Sequence, residues 1–271
     1  MDYQNIKLKK EDWLATLTLS RPQKMNALSK ELQLEMQHAM DDLEADETIR
    51  AVIINGEGKC FSAGFDITGT GGEPPTVQDW RAGVKRENDT WFRIWRSRLP
   101  YIAAVHGYCL GGACELSMVC DITIASEDAQ FGEPEIQFQS APPFPIMPWV
   151  LGMKKTKELL LTGDRIDAME AHRIGLVNRV VPTDELAGSA RELARKLSMI
   201  PPPAMHLNKQ SLNRQYDIRG FQSTVDYGAE IFTLVLTSDS QEKRDFDNIA
   251  AEHGLKAAFK WRDEKFAAPR N

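Results

Sequence analysis

In the stretch HGYCLGGACELSMVCDI (residues 106–122) two adjacent glycines, Gly111 and Gly112, are followed three residues later by a lone carboxylate, Glu115, in an otherwise mostly apolar run. The glycines let the backbone take shapes that a Cβ would forbid. A helix beginning near Gly112 would aim unpaired N–H groups, and the positive end of its dipole, outward. An ester or thioester oxygen that gains negative charge in a transition state is well served by such a donor, worth about 3–4 kcal/mol when preorganised. A second donor is offered by FSAGFD (61–66), where Gly64 directly precedes Phe65 at a strand-end loop and leaves the Phe65 N–H exposed. A further acid, Glu135, stands in FGEPEI (131–136). Taken singly, each feature also has a structural reading: a glycine turn, a first-turn acid favouring the helix dipole, an acid capping nearby backbone.

The elements that must hold these groups alternate between strand and helix. WLATLTLS (13–20) has strand alternation, and RPQKMNALS leads from it into a helix with its N-cap at Ser29 and Leu32, Met36, Met40 and Leu43 at helical spacing. AVIING (51–56), YIAAV (101–105) and ITIA (122–125) are short apolar runs with helical stretches between them, which predicts an α/β fold with much parallel pairing. A polar, Gly- and Pro-rich segment lies between Gly56 and Val77, long for a plain connector. Beyond residue 146 the pattern turns helical, interrupted by one strand candidate at 175–181, and IPPPA (200–204) marks a boundary. The organisation predicted is a core over 1–199 and a helical region over 200–271.

A chain of 271 residues with 42% hydrophobic and 27% charged residues is an ordinary globular protein. Its formal net charge of −6 offers no broad positive field for nucleic acid or anionic membrane. Neither a signal core nor a run of about 18 apolar residues is present, so a cytoplasmic, membrane-free location is expected. Cys60, Cys109, Cys114 and Cys120 fit no C-x-x-C pair and read as reduced, buried small hydrophobes. The five histidines have no metal-ligand spacing, and no metal site is predicted. G-x-G-x-x-G, the P-loop lysine motif and G-x-S-x-G are absent, as is any repeat of 20–50 residues.

Four segments, RPQKMNALS, FSAGFD, HGYCLGGACELSMVCDITIASEDAQFGEPEI and LTGDRIDAMEAHRIGLVNRVV, resemble in order and spacing the enoyl-CoA hydratase/isomerase (crotonase) superfamily. The likeness spans about residues 12–215, and HGLKAAFKWRDEKF is similar to the family's closing segment. The resemblance implies a fold of repeated ββα units with a C-terminal helical trimerisation region. It also implies a coenzyme A thioester as substrate, no separate cofactor, and a homotrimer or dimer of trimers. Carried over residue by residue, it makes the backbone N–H groups of Phe65 and Gly112 the oxyanion hole, and Glu115 and Glu135 the catalytic pair. Lys24, Met25, Ala63, Asp66 and Ile67 become coenzyme A contacts, and Lys260, with Phe259, the segment that reaches a neighbour's coenzyme site.

Hydration of a 2-enoyl thioester delivers water to C3 and a proton to C2, and two carboxylates flanking one water can share that proton traffic, with coupled titrations. An enoyl-CoA isomerase, or a lyase or hydrolase on another acyl-CoA, would use the same oxyanion hole and stays open as an alternative. So does a scaffold or RNA-interacting relative, against which the acidic charge speaks. The chain departs from the family after Glu135: a common P-G-x-G-G stretch is replaced by QFQSAPPFPIMPWVLG, about three residues shorter, with Pro143, Phe144 and Pro145 in place of flexible glycines. Those rings predict a stiffer, more apolar wall near the acyl pocket. Trp80, Trp91, Phe92 and Trp95 could line an acyl tunnel or be ordinary core.

Overall fold

The computed structural model describes residues 2–67 and 75–267. The chain opens on β1 (Ile6–Glu11) and β2 (Leu14–Leu19), passes through α1 (Lys30–Ala45) to β3 (Ala51–Gly56), and continues with α2 (Val77–Arg96). β4 (Tyr101–Val105), β5 (Tyr108–Leu110) and α3 (Gly112–Val119) follow, then β6 (Ile122–Ser126) and β7 (Gln130–Gly132). After a 3₁₀ turn at Pro134–Phe138 come α4 (Met147–Val150), α5 (Met153–Thr162), β8 (Ile166–Asp167), α6 (Ala168–Arg173), β9 (Arg179–Val181) and α7 (Leu186–Ser198). The C-terminal helices are α8 (Pro202–Ile218), α9 (Phe221–Thr237), α10 (Gln241–His253) and α11 (Leu255–Phe266).

The large sheet has the order β1-β2-β3-β4-β6-β9, antiparallel only at β1–β2. Its central strands are continuous apolar runs because both faces are covered. Val52, Ile54, Ala103 and Val105 share a core with Leu32, Met36 and Met40 of α1 and Trp91 of α2. Ala51, Ile53, Ile102 and Ala104 pack with Leu186, Ala190, Leu193 and Ala194 of α7. A second sheet, β5-β7-β8, is extended by a parallel bridge between Ser62 and Cys109. Large-sheet strand, small-sheet strand and helix thus recur as β3, Ser62, α2; β4, β5, α3; and β6, β7, α5, which is the ββα repeat the resemblance implies.

The predicted strands at 51–56, 101–105 and 122–125 and the Ser29 N-cap are in place; the Ser29 hydroxyl accepts from Leu32 N. At 175–181 only Arg179–Val181 pairs, because Gly175 sits at φ 88° in the turn that closes α6. β1 escaped prediction: as an edge strand it carries Lys7, Lys9 and Lys10, charges that blunt an edge and mask the strand pattern. α8 is pinned to the core by Lys209, whose buried Nζ donates to Ile94 O, Leu99 O and Asp121 Oδ2 (2.9, 2.8 and 2.7 Å). All four cysteines are free and buried. No helix among the described residues is long and apolar enough to cross a membrane.

Candidate active site

Two loops meet at the end of the small sheet. Ser62 N donates to Tyr108 O (3.0 Å) and Leu110 N to Ser62 O (3.2 Å), which fixes Ser62 beside Cys109. Three residues beyond each bridged partner come Phe65 and Gly112, so the register itself sets these two residues side by side. Gly64 makes the approach possible: at φ 96°, a Cβ there would fall 2.6 Å from Leu110 O. Gly111, at φ 53° and ψ −128°, turns the chain into α3, and its carbonyl accepts from Cys114 N (2.8 Å) and Glu115 N (3.1 Å). The Gly112 and Phe65 amides donate to no protein acceptor among the described residues. Gly112 N–H is one of the orphan donors of a helix start, where the dipole also favours negative charge.

The two predicted acids converge on this bend. Glu115, in the first turn of α3, is only 1% exposed. Its Oε1 accepts from Phe144 N and its Oε2 from Trp91 Nε1, both at 3.1 Å. Glu135 rides on the 3₁₀ turn and lays its carboxylate on the glycine bend: a Cβ on Gly111 would fall 1.6 Å from its Oε1. Its Oε2 is buried with no partner. The turn is held by Gln139, whose Nε2 donates to Val235 O (3.1 Å) and Ser238 O (2.7 Å) at the end of α9.

Burial is the largest influence on both acids and favours the neutral form. It holds Glu115 well above the usual carboxylate range, against the pull of the two N–H donors, and the Glu135 charge adds to the rise. Glu135 is pushed up to about 7, with the Arg262 cation of α11 opposing the burial. Glu133, two residues before Glu135, is buried as well and raised by burial and by both neighbours. Such a cluster exchanges protons as a unit rather than residue by residue.

The remaining predicted residues lie on the rim or away from it. Lys24 and Met25 are exposed at the end of the short turn Pro22–Lys24, and Ala63 N donates to Met25 O (2.9 Å), which ties this loop to the Phe65 loop. The buried Asn26 reinforces the link, its amide donating to Glu57 O, Cys60 O and Phe61 O. Ile67 is exposed. Asp66, predicted as a coenzyme contact, engages its carboxylate with Arg21 Nη1 at 2.8 Å. Lys260 is exposed on α11 beside Glu264 (3.6 Å), and this chain does not bring it to the two acids. The basic side chain of α11 that faces the site is Arg262, 4% exposed, stacked over Phe259 and Phe138 at 4.8 and 5.6 Å.

Of the aromatic residues on α2, Trp91 donates to Glu115, Phe92 is core, packed with Phe144 and Phe221, and the half-buried Trp95 packs with Tyr216 and Phe221 and donates to Asp217 Oδ1 (3.3 Å). Trp80 packs edge-on against Phe232. The Phe144 amide, Glu133, Glu87 and Arg262 went unpredicted; a signal existed only for Glu133, an acid inside FGEPEI. Among the described residues, no group of His, Cys, Asp and Glu side chains could hold a metal ion. A cleft of about 370 Å³ under the start of α8, lined by Arg98, Pro202 and His206 among others, contains none of the predicted residues.

A fold of ββα repeats, with the buried Glu115 and the half-buried Glu135 beside a glycine bend, is the architecture of the acyl-thioester enzymes that the sequence resembles. Residues 9–257 match the model of the enoyl-CoA hydratase/isomerase family, and the chain belongs to that family. It is 37% identical over 250 residues to a short-chain-enoyl-CoA hydratase of Clostridium acetobutylicum, covering 89% of this chain and 93% of the relative. It is equally 37% identical over 256 residues to a crotonyl-CoA hydratase of Syntrophomonas wolfei, covering 90% and 94%. Among solved structures, an enoyl-CoA hydratase/isomerase from Xanthobacter autotrophicus superposes with a TM-score of 0.95 at 40% identity, covering 98% of this chain and all of that one.

Proposed function

We propose that the chain catalyses the reversible addition of water to a trans-2-enoyl-CoA, giving a 3-hydroxyacyl-CoA, with Glu115 and Glu135 moving the protons and the Phe65 and Gly112 amides holding the thioester oxygen. The relatives named as short-chain-enoyl-CoA and crotonyl-CoA hydratases support the reaction. The observation that carries the residue roles is the convergence of the buried Glu115 and of Glu135, whose Oε2 is buried, on the one glycine bend that also presents an unpaired helix-start amide.

The donor pattern divides the labour. Both oxygens of Glu115 accept an N–H, which favours its anion against the burial that raises it, while Glu135 Oε2 has no partner and suits a proton. Glu115 takes a proton from water as the water oxygen bonds to C3. The C2–C3 π electrons shift toward the thioester, and the oxygen becomes enolate-like between the two amides. Collapse of the enolate takes the Glu135 proton onto C2. One water has been added, and a proton passing from Glu115 to Glu135 restores the starting state.

Coenzyme A would lie along the Lys24, Met25, Ala63 and Ile67 rim, with Asp66 acting through Arg21 to hold that rim's shape. The proposal includes a homotrimer or dimer of trimers, with Lys260 turned toward a neighbour's coenzyme. Exposed Leu207, Leu212, Ile218, Tyr227 and Leu234 on α8 and α9 support assembly through these helices. It also includes a reducing, cytoplasmic setting, which the free buried cysteines support. The chemistry as drawn needs no further cofactor.

The test is the pair Glu115→Gln and Glu135→Gln assayed on crotonyl-CoA. Each variant should lose about 10²–10⁴-fold in kcat, the range for a positioned general acid or base. Full activity in Glu115→Gln would overturn the assignment, and loss confined to the Glu135 variant would favour isomerase-like proton shuttling on one carboxylate.

A further inference from the structure

One helical turn before Trp91, α2 carries two polar side chains that the hydration chemistry does not use. Glu87 and Asn88 stand four and three residues ahead of Trp91, on the stripe that faces Glu115 and the Pro143–Pro145 loop. Asn88, 7% exposed, donates its Nδ2 to Pro143 O at 3.3 Å, and its Oδ1 is buried with no partner. Glu87 Oε2 is likewise buried with no partner. Glu87 is close enough to Glu115 that its ionised form would raise that acid. The loop residue after Pro143 is Phe144, whose N–H holds Glu115 Oε1. The two unpaired oxygens therefore sit in the same wall as the reacting carboxylate, about 5.4 Å along the helix from Trp91.

A buried polar atom without a partner costs about 1–3 kcal/mol, and hydrophobic walls rarely carry two by accident. Most neighbours are apolar: Val84 and Trp91 on the same helix, Phe144 on the loop, and Pro145, packed on Gly228 of α9 so closely that a Cβ there would fall 2.6 Å from the ring; the buried Gln33 of α1 bonds the Glu87 carboxyl and leaves its Oε2 unpaired. A charged acyl substituent would have to be desolvated among these groups. A neutral hydroxyl satisfies both oxygens instead. It donates to Asn88 Oδ1 and accepts from the protonated Glu87 carboxyl, which burial pushes up to about 8.

Resting on the hydratase reading, we propose that the acyl pocket is built for an enoyl-CoA bearing a neutral hydroxyl on its chain, bound by Glu87 and Asn88. For an acyl chain extended along α2 from beside Trp91, an offset of about 5.4 Å corresponds to about four carbon–carbon bonds, so the hydroxyl is expected near C6 or C7. A site shaped to hydrogen-bond a substrate hydroxyl disfavours the analogue that lacks it, because its own polar groups are then left unpaired.

The experiment compares 7-hydroxy-trans-2-heptenoyl-CoA with trans-2-heptenoyl-CoA and its 7-amino analogue, using wild-type protein, Glu87→Leu and Glu87→Gln, each checked for folding by circular dichroism. In the wild type the hydroxylated thioester should exceed the plain one at least tenfold in kcat/KM. That ratio should fall at least tenfold in Glu87→Leu and recover in part in Glu87→Gln, whose amide still donates. Equal use of the plain and hydroxylated chains, a ratio untouched by Glu87→Leu, or preference for the amine would overturn the inference while leaving hydration standing. No hydration of the plain thioester, or of crotonyl-CoA, by the wild type would instead overturn the hydratase reading on which it rests.

Discussion

The two halves of the site are built differently. The glycine half, Gly64–Phe65 against Gly111–Gly112, is fixed by backbone: a parallel bridge sets its register, positive-φ glycines permit the approach, and the donors are amides that no side chain can replace. The wall half, α2 with the Pro143–Pro145 loop and α11, acts through side chains and one loop amide that bias how Glu115 and Glu135 hold a proton. On the proposed assignment the first decides whether the chemistry can occur, and the second at what pH and on which acyl group. Damage to the first should therefore be abrupt, and damage to the second graded.

The sharpest break is Gly111→Ala. A Cβ there collides with Glu135 Oε1 and faces a backbone at φ 53°, so it disturbs the acid and the helix start together. A loss of about 10²–10³-fold in kcat is expected, in the range of losing an oxyanion donor; near-normal turnover would mean that the glycine bend does not set the site.

Next in size is the pH dependence of stability. The Glu135 carboxyl lies near 7 folded against about 4.5 unfolded, so between those values the folded chain holds more protons than the unfolded one. Its contribution is full below pH 4.5 and is lost as the pH rises through 7, at a cost of up to about 3 kcal/mol. Denaturant titrations of the wild type and Glu135→Gln should therefore diverge between pH 5 and pH 8, with the variant relatively more stable at pH 8. Parallel curves would show that the carboxyl is not held neutral.

On the wall, Trp91→Phe keeps an aromatic ring and removes the donor to Glu115 Oε2. About tenfold in kcat should be lost, the worth of one hydrogen bond to a charged group, and the limb of the pH profile that reports ionisation of the pair should move upward. Arg262→Met is the mildest change. It removes the cation that opposes the burial of Glu135, and a rise of the same limb by a few tenths of a pH unit, with kcat little altered, is expected from pH–rate profiles.

The same division explains what could be read from sequence. The glycine half declares itself in GYCLGGACE and FSAGFD, because positive-φ glycines and a first-turn acid are local requirements with local signatures. The central strands are equally plain, since burial on both faces leaves unbroken apolar runs. The wall is assembled from residues distant along the chain: Trp91 and Phe144 meet at Glu115 across 53 positions (144 less 91). Neither residue differs in type from ordinary core, as Phe92 on the same helix illustrates. Glu87 and Asn88 carry no local signature either, because the burial of Glu87 Oε2 and Asn88 Oδ1 comes from packing between distant segments. Arg262 carries no signal of its own in the sequence, and only the packing of α11 on Phe138 brings its cation near Glu135.

The central claim is that this chain adds water across the double bond of an enoyl thioester. The most direct measurement incubates the wild-type protein with crotonyl-CoA in ¹⁸O-labelled water, following loss of the conjugated-thioester absorbance and the mass of the product. The expected product is a 3-hydroxyacyl-CoA heavier by one labelled water, in stable equilibrium with the enoyl thioester. Binding without any gain of water, or release of free coenzyme A, would contradict it.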